Sequence, residues 1–436
     1  MAIASGRRRL MTDGAWVSFG QIGSALGALA GVRLLTEYIT PAVFGATTLI
    51  IGITALALGT LVSPVMQASL KYYPEYSGER EAELRASLRS ILFRRVGTVA
   101  AVITVVTLLI SMFSRLDPYL ILICVLLLIL DSMRSYQTTL LNAARKHAAF
   151  AMISIGEAWG RPLLAVLAVQ SMGADFKTIL MAYVATTAGI LLLFYVFVRQ
   201  KDPSMALPSE PEKETLQHSI RQFALPLVPM SALGWMNGIG DRYLIGALLG
   251  LEQAGIYAAV YGLMSRPFQM VSGIVELTLR PLYNQLVADG RESAAHGLLL
   301  KWLSAVALLT GAGFVGIALF EREIISLLLA DKYRSGLSLM LWIAGGYLLL
   351  ALSDVFVKVC YAYGYTRRIL GIQIVGALLS IVSAYAGIKL FGLVGAAMAV
   401  PVYFGAMLII TFVASTVNVK RRHLPELDCQ LITEKS

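Results

Sequence analysis

The sequence predicts an all-α integral membrane protein with about twelve transmembrane helices in two six-helix lobes. Of its 436 residues, 57% are hydrophobic and only 14% are charged, which is too apolar a composition for a soluble protein of this length. Its apolar stretches are far longer than a barrel strand and do not alternate with a period of two, so we expect helices. A polar interruption near the middle of the chain separates six such stretches from six.

Each predicted span has about 20 residues or more, which is the length of helix that crosses ~30 Å of hydrocarbon. With short connections, these spans use nearly the whole chain, so a large soluble domain is excluded. The twelve stretches lie at about 14–35, 41–70, 95–113, 119–142, 149–172, 178–198, 223–249, 255–282, 298–320, 336–361, 368–390 and 392–417.

The first span carries a stripe of small residues, which predicts close packing against another helix. Arg7 to Arg9 precede the span, and Ala28-Leu29-Ala30 resembles a signal-peptide cleavage site. The apolar run is too long for a typical signal peptide, so we predict an uncleaved first span. The stripe consists of Gly20, Gly23, Gly27 and Gly31.

The longest polar interruption carries Pro203, Pro208 and Pro211 with a mixed run of Glu and Lys, which is the composition of a linker. It divides the chain into halves that share weak internal similarity, as where Thr40 to Phe44 resembles Glu252 to Ile256 at an offset of 212 residues. Six spans is an even number, so both halves enter from the same side and form a parallel repeat. The predicted divisions are an N-terminal lobe at 1–198, a cytoplasmic linker at 199–222, a C-terminal lobe at 223–418 and a cytoplasmic tail at 419–436.

The distribution of Lys and Arg between the connections predicts the orientation, because basic loops are retained in the cytoplasm. With the N-terminus inside, the cytoplasmic segments hold 23 basic residues and the outer segments hold seven. Both termini are therefore expected to be cytoplasmic. The outer connections are too short for the loop domain of a membrane glycosyltransferase or ligase, and the apolar segment Ile324 to Ala330 is predicted to be a short helix in the membrane interface.

Charged residues inside the predicted spans should face protein or a wet cavity, because a charge at the bilayer centre costs at least ~2.5–3.5 kcal/mol. Four acid–base pairs are spaced so that they can meet on one helix face, which has a plain interpretation as self-neutralising ion pairs. They are Asp131 with Arg134, Glu157 with Arg161, Glu276 with Arg280, and Asp354 with Lys358.

Two arginines need partners from elsewhere. Arg266 has no acid within four residues, and the only acid near Arg242 is adjacent Asp241, which points about 100° away around the helix. Either these arginines form interhelical salt bridges or they form an anion site, since guanidinium groups bind phosphate bidentately. Depth favours the anion site, because Arg161 and Arg266 are both placed near the membrane midplane and each precedes a proline.

Two tryptophans, Trp159 and Trp235, are predicted well inside their spans, away from the interfaces where tryptophan collects. Packing in the core is one interpretation, and contact with sugar or lipid is the other, since an indole offers a flat face and one donor. The chain has no G-x-x-x-x-G-K-[ST] phosphate loop, so nucleotide hydrolysis is not expected. Its three cysteines and four histidines show no metal-site spacing.

The stretch from Asp241 to Gly246, continued from Leu248 to Tyr257, resembles the polysaccharide-biosynthesis flippases of the Wzx type, whose superfamily also holds the MATE drug exporters. The resemblance extends to the turn at Pro41 to Gly45, the outer segment at 324–333 and the number of spans. It implies a MATE-like fold with two lobes around a cationic cavity. It also implies movement of an undecaprenyl-pyrophosphate-linked oligosaccharide from the cytoplasmic to the periplasmic leaflet of a bacterial inner membrane, for O-antigen, capsule or exopolysaccharide biosynthesis.

The leading hypothesis is therefore a transporter and not an enzyme, with Arg161, Arg242 and Arg266 holding the pyrophosphate and Trp159 or Trp235 near the sugars. Transport would proceed by alternating access. The alternative is a MATE-type cation or drug antiporter. An exporter of organic cations would need unpaired carboxylates to bind them, whereas the charged groups without partners on their own helix are mainly arginines.

Energy coupling and partners complete the hypothesis. Without a nucleotide motif, movement against a gradient would need an ion, and the predicted coupling carboxylate is Asp241 or Glu157. The plain interpretation of Glu157 is a counter-ion for an arginine on its own helix. Expected partners are the lipid-linked oligosaccharide, membrane lipids and a polysaccharide polymerase with its chain-length machinery. No cofactor, metal ion or nucleic acid is expected.

Overall fold

The protein is described by a computed structural model over residues 2–76, 80–111, 117–198 and 210–416. Within these ranges the chain forms helices joined by short turns, and no strand occurs in them. This confirms the predicted all-α class. The predicted tail and residues 199–209 of the predicted linker lie outside the described ranges.

In the described ranges of its first half the chain forms eight α-helices. A single π-helical turn, Leu58–Val62, joins α2 to α3, so these two form one long bent helix. The eight are α1 (Ala2–Tyr38), α2 (Pro41–Ala57), α3 (Ser63–Tyr76), α4 (Glu81–Ser111), α5 (Pro118–Ala143), α6 (His147–Met172), α7 (Phe176–Leu193) and α8 (Glu210–Ala224).

Between residues 227 and 416 the chain forms six α-helices, of which the last is interrupted at Gly392. That residue has φ +61°, a conformation that suits glycine, and it turns the chain between two helical segments. The helices are α9 (Leu227–Leu249), α10 (Leu251–Ala288), α11 (Glu292–Leu319), α12 (Glu321–Leu328), α13 (Leu337–Ala362) and α14 (Thr366–Thr416).

About twelve long helices result when α2 and α3 count as one, α14 counts as two, and short α8 and α12 are set aside. Eight helical segments of the described chain are long and apolar enough to cross a membrane, and one of them, Arg368–Ser415, covers both parts of α14. The protein is thus a multi-pass membrane protein with the number of helices expected from the sequence.

Two helix starts show how the sequence sets the boundaries. Thr40 accepts a hydrogen bond from the Val43 N–H, and Asp117 accepts one from the Tyr119 N–H at 2.9 Å, so each caps the helix that follows. Asp117 also binds the Lys177 ammonium, and these hydrogen bonds hold the pKa of the Asp117 carboxyl below its ordinary value.

The glycine stripe of α1 packs directly on α6, as the sequence predicted. A Cβ atom at Gly20 would lie 2.9 Å from the Ala151 Cβ, and one at Gly27 would lie 2.6 Å from Cδ1 of Trp159. The other two stripe positions face Ile155 and Pro162 in the same way. Only glycine lets these two helices approach so closely.

A second close approach, here named the glycine contact, joins the first turns of α2 and α10. A Cβ atom at Gly45 would lie 2.1 Å from the Leu251 carbonyl oxygen, and one at Gly255 would lie 1.8 Å from the Pro41 carbonyl oxygen. The contact is reciprocal, because Pro41 and Leu251, like Gly45 and Gly255, are 210 residues apart. These pairs are two residues away from the 212-residue offset of the sequence similarity, so the contact relates the starts of α2 and α10 and not the aligned residues.

The short outer segment predicted at 324–330 is confirmed as helical, although α12 begins three residues earlier, at Glu321. Just beyond it, Tyr333 is fully buried, and its hydroxyl donates to the Ile39 carbonyl oxygen at 3.4 Å. The Tyr333 ring also packs edge-on against Phe44, with 6.0 Å between centroids. These contacts fasten the segment to the connection between α1 and α2.

The chain divides into two compact units. The first contains Met1–Trp235, Gly250–Ala259 and Leu327–Tyr333, and the second contains Met236–Leu249, Val260–Ser326 and Arg334–Ser436. The lobe boundaries predicted from chain order stay a prediction.

The second half of the predicted linker is not a loop. Residues Glu210–Ala224 form α8, in which Leu216 and Ile220 are buried in a core cluster with α3 and α4. Phe223 adds an edge-on contact with Tyr72 at 6.4 Å. The sequence suggested a linker because α8 has Pro211 in its first turn, exposed Glu214 and Arg221, and few apolar residues.

We expect Ile220→Asp to lower the free energy of unfolding by about 3–5 kcal/mol, because the new carboxylate would be buried without a partner. The measurement is the thermal unfolding midpoint in detergent. His218→Asp is the matched control, since His218 is exposed on the same helix and the change there should be neutral. Equal unfolding midpoints for both variants would show that the packing of α8 on α3 and α4 does not stabilise the protein.

Candidate functional site

Four charged side chains of the first unit form the first charge cluster: Asp131 and Arg134 of α5, with Glu157 and Arg161 of α6. Arg134 Nη1 lies 2.8 Å from Glu157 Oε2, and Arg161 Nη2 lies 3.2 Å from Glu157 Oε1. Arg134 Nε lies 3.4 Å from Asp131 Oδ1, and Arg161 forms an ion pair with Asp131. Each arginine touches both carboxylates, so the cluster has no net charge.

The two intrahelical pairs predicted for α5 and α6 are confirmed, and the structure adds two pairs that cross between the helices. The crossing pairs make the cluster a link between α5 and α6. Helical spacing predicted only the pairs within a helix, because it contains no information on which helices are neighbours.

Arg161 has further contacts on α7. Its Nη2 donates to Thr187 Oγ1 at 3.0 Å, and its guanidinium carbon lies 5.4 Å from the centroid of the Tyr183 ring. Its Nε is buried without a hydrogen-bond partner among the described residues. Among the described residues Arg161 bonds only through Nη2, so an anion would find its Nε–H and Nη1 N–H donors unused and would compete with two carboxylates only for Nη2.

The second charge cluster lies in the second unit and contains Glu276 and Arg280 of α10, with Asp354 and Lys358 of α13. Glu276 Oε1 lies 2.8 Å from Arg280 Nη1, which confirms the predicted pair, and 3.1 Å from Lys358 Nζ. The predicted pair of Asp354 with Lys358 is wrong, because Lys358 extends to α10. Asp354 has no hydrogen bond or ion pair with any described residue.

Arg242 of α9 lies against aromatic rings. Its guanidinium carbon is 4.5 Å from the centroid of buried Tyr261, which packs edge-on against Tyr347 at 5.3 Å. Tyr347 contacts Phe404 at 5.7 Å. Within the described ranges Arg242 forms no ion pair, and its buried Nε has no hydrogen-bond partner. The cation–π interaction with the Tyr261 ring has a free energy of about 0.5–2 kcal/mol, and it leaves the N–H donors of Arg242 unused.

The other two candidates of the second unit lie near Arg242 in sequence or on the next helix. Asp241 is buried, and its Oδ1 accepts a hydrogen bond from the Arg242 backbone N–H at 2.8 Å. Arg266 is exposed on α10, directly before Pro267.

Both candidate tryptophans belong to the first unit, and both already use their single donor. Trp159 Nε1 donates to the Gly23 carbonyl oxygen at 3.1 Å, and Trp235 Nε1 donates to the Gly52 carbonyl oxygen at 2.7 Å. Neither indole N–H is therefore left to bind a sugar or a lipid.

The structure brings Glu157 together with Arg161 and brings Asp241 together with Arg242. Sequence reasoning missed the aromatic and hydroxyl side chains around the arginines. Tyr183 and Thr187 are four residues apart and share a face of α7, which is a detectable signal, but nothing in the sequence connects that face to Arg161.

A family model described as polysaccharide biosynthesis protein matches residues 8–287. No curated protein matches the sequence.

Solved membrane transporters share the fold over nearly the whole chain. Lipid II flippase MurJ, in an inward closed conformation, is 12% identical, with a TM-score of 0.65 over 91% of this chain and 87% of that one. An inward-facing MATE multidrug resistance transporter is 12% identical, with a TM-score of 0.67 over 93% and 95%. A transporter of the same superfamily from Pyrococcus furiosus is 11% identical, with a TM-score of 0.60 over 94% and 95%.

Proposed function

The chain belongs to the polysaccharide biosynthesis protein family, and on that premise we propose that it is a flippase for an undecaprenyl-pyrophosphate-linked oligosaccharide. It carries the substrate from the cytoplasmic to the periplasmic leaflet by alternating access. The product enters the biosynthesis of a surface polysaccharide, which is O-antigen, capsule or exopolysaccharide, and a polymerase with its chain-length machinery consumes it. The excess of 23 basic residues to seven supports an inner-membrane orientation with both termini in the cytoplasm.

The observation that carries this proposal is the environment of Arg242. A pyrophosphate needs donors that are held in place and not already neutralised by a carboxylate. Arg242 meets this requirement, since Tyr261 positions the guanidinium while no described carboxylate pairs with it. Arg242 is half-buried beside the buried rings of Tyr261 and Tyr347, so a charge-assisted hydrogen bond there is stronger than one at an open surface.

Arg161 and Arg266 are proposed as further pyrophosphate ligands. Binding at Arg161 would loosen the first charge cluster, because phosphate oxygens would replace one of the two carboxylates that Arg161 now touches. The freed carboxylate, Asp131 or Glu157, would then respond to a cation. The sugars would lie against the ring faces of Trp159 or Trp235, since both indole N–H groups are used elsewhere.

Cation or drug antiport is the second candidate, and the shared fold with MATE transporters motivates it. The first charge cluster speaks against an organic-cation site in its present arrangement, because both of its carboxylates are bonded to arginine. An export assay with lipophilic cations tests this candidate directly.

The flippase proposal is tested with purified protein in lipid vesicles and a short-chain polyprenyl-pyrophosphate-linked fluorescent sugar. We expect the protein to speed movement of the probe between leaflets, read as loss of fluorescence to an external quencher. The matched control is the same sugar on a polyprenyl monophosphate, which offers fewer oxygens to the arginines and should move more slowly. If neither probe crosses faster than in protein-free vesicles while a lipophilic cation is exported, the antiporter replaces the flippase.

A further inference from the structure

The two charge clusters have equal numbers of acids and bases, but their ion pairs are distributed differently among the carboxylates. Each contains two acids and two bases on two helices. In the first cluster, every carboxylate is bonded to an arginine. In the second cluster, Glu276 receives both bases and Asp354 receives neither. One carboxylate of the second cluster is left without a hydrogen bond or an ion pair among the described residues.

A carboxylate within an apolar helix bundle cannot keep its charge cheaply without a partner. Asp354 is half-buried on α13, between buried Ser353 and buried Val355. Two remedies exist: the carboxylate takes up a proton, or a base moves to it. The second remedy is close at hand, because Lys358 is one helical turn further along the same helix.

The charged groups that act on Asp354 are few. Lys358 of its own helix favours the carboxylate, and Glu276 of α10 opposes it. Arg280 is one step further away, bonded to Glu276. The other helices that pack on α13 are α11 and α14, and within the described chain no charged group of either acts on Asp354.

We propose that Asp354 is a proton-binding site whose occupancy decides whether Lys358 links α13 to α10. With a proton on Asp354, Lys358 stays on Glu276 and the two helices are joined, as in the structure. When the proton leaves, the Asp354 carboxylate attracts Lys358 along its own helix, and Glu276 keeps only Arg280 of its own helix. The ion pair between α10 and α13 is then lost, while the apolar contacts of Tyr283 and Val287 with α13 remain. One proton bound or released is thus converted into one interhelical bond made or broken.

If this site couples transport to a proton gradient, that role rests on the proposed function. The binding of a proton at Asp354 does not depend on the proposed function. It differs from the coupling residues predicted from sequence, Asp241 and Glu157. Glu157 is bonded to two arginines, and Asp241 accepts a hydrogen bond from its neighbour's backbone N–H, so neither lacks a partner as Asp354 does.

The test is infrared difference spectroscopy of the full chain in lipid vesicles while the pH is stepped. We expect a protonated-carboxyl band at low pH that Asp354→Asn removes. Glu157→Gln is the matched control and should keep the band, because that carboxylate already contacts Arg134 and Arg161. A band that survives Asp354→Asn, or one that Glu157→Gln removes instead, overturns the assignment. Asp354→Ser is the second variant if the Asn protein does not fold.

The movement of Lys358 between Glu276 and Asp354 is tested by measuring the distance between α10 and α13. Spin labels are placed at Leu277 of α10 and Trp342 of α13, which are both exposed, and Tyr361 is kept because its ring lies 5.9 Å from the Arg280 guanidinium carbon. We expect the separation of the labels to grow as the pH rises in the parent protein and to stay short in Asp354→Asn, where Lys358 has no competing carboxylate. The same pH response in both proteins overturns the proposal.

Transport then separates the two proposals. If the band belongs to Asp354 but no lipid-linked sugar moves under any gradient, the flippase proposal fails and the proton site stands. If sugar moves at the same rate with and without a proton gradient, and the labels do not respond to pH, the proton switch fails and the flippase stands.

Discussion

Replacing Arg242 with alanine is expected to lower the rate of lipid-linked sugar movement by roughly 100-fold, which corresponds to about 3 kcal/mol for the lost charge-assisted hydrogen bonds. Arg242→Lys should recover only part of the rate, because an ammonium keeps the charge but does not bind two phosphate oxygens in a fork. Arg266→Ala is also expected to lower the rate. The measurement is the vesicle assay with the pyrophosphate-linked probe, together with surface polysaccharide output in cells at equal protein level.

The control for this prediction is Arg322→Ala, which removes an exposed arginine from α12. Its rate should equal that of the parent protein. Normal polymer output in both Arg242→Ala and Arg266→Ala would contradict the assignment of the pyrophosphate site. Equal losses for the pyrophosphate and monophosphate probes would contradict bidentate binding in particular.

Alanine at Gly45 or Gly255 is expected to force apart the first turns of α2 and α10. The new Cβ would lie about 2 Å from a backbone carbonyl oxygen, and backbone has no rotamer with which to move away. The free-energy cost of overpacking is about 1–3 kcal/mol. It would lower the ratio of molecules with these turns in contact to molecules with them apart by roughly 10- to 100-fold.

The measurement is labelling of a cysteine at Ala254 by an impermeant maleimide, in a protein whose native cysteines are replaced. Ala254 is buried beside the glycine contact, so labelling should be slow in the parent and fast in Gly45→Ala. Gly262→Ala is the matched control, because it lies on the same helix and an added Cβ there meets nothing within 4 Å. Equal labelling of all three proteins would show that the contact tolerates a methyl group.

The sequence predicted those features that depend on spacing along one helix. The glycine stripe of α1 was recognised because its members repeat every three or four residues, and the structure places all of them on α6. The pair Glu157 with Arg161 was recognised for the same reason. Helix count and class followed from long apolar runs, which the hydrocarbon thickness requires.

Features that depend on the identity of a neighbouring helix were missed or misjudged. Lys358 bonds to Glu276 of α10, although an acid was available one turn away on its own helix. The packing of α8 on α3 and α4 was hidden because an amphipathic helix with prolines at its start has the composition of a linker. The proposed roles of Arg242 and Arg266 stay predictions that the experiments above decide.

The first charge cluster also bears on how the chain enters the membrane during synthesis. Before α5 and α6 meet, each helix carries one acid and one base a single turn apart, so each can leave the insertion machinery as an internally neutral segment. A connection of only three residues then holds them as a hairpin, and the crossing pairs form once they pack. We therefore expect the same four side chains to act twice during biogenesis. Within each helix they neutralise each other as the helix enters the lipid, and after packing they form the ion pairs that hold α5 against α6.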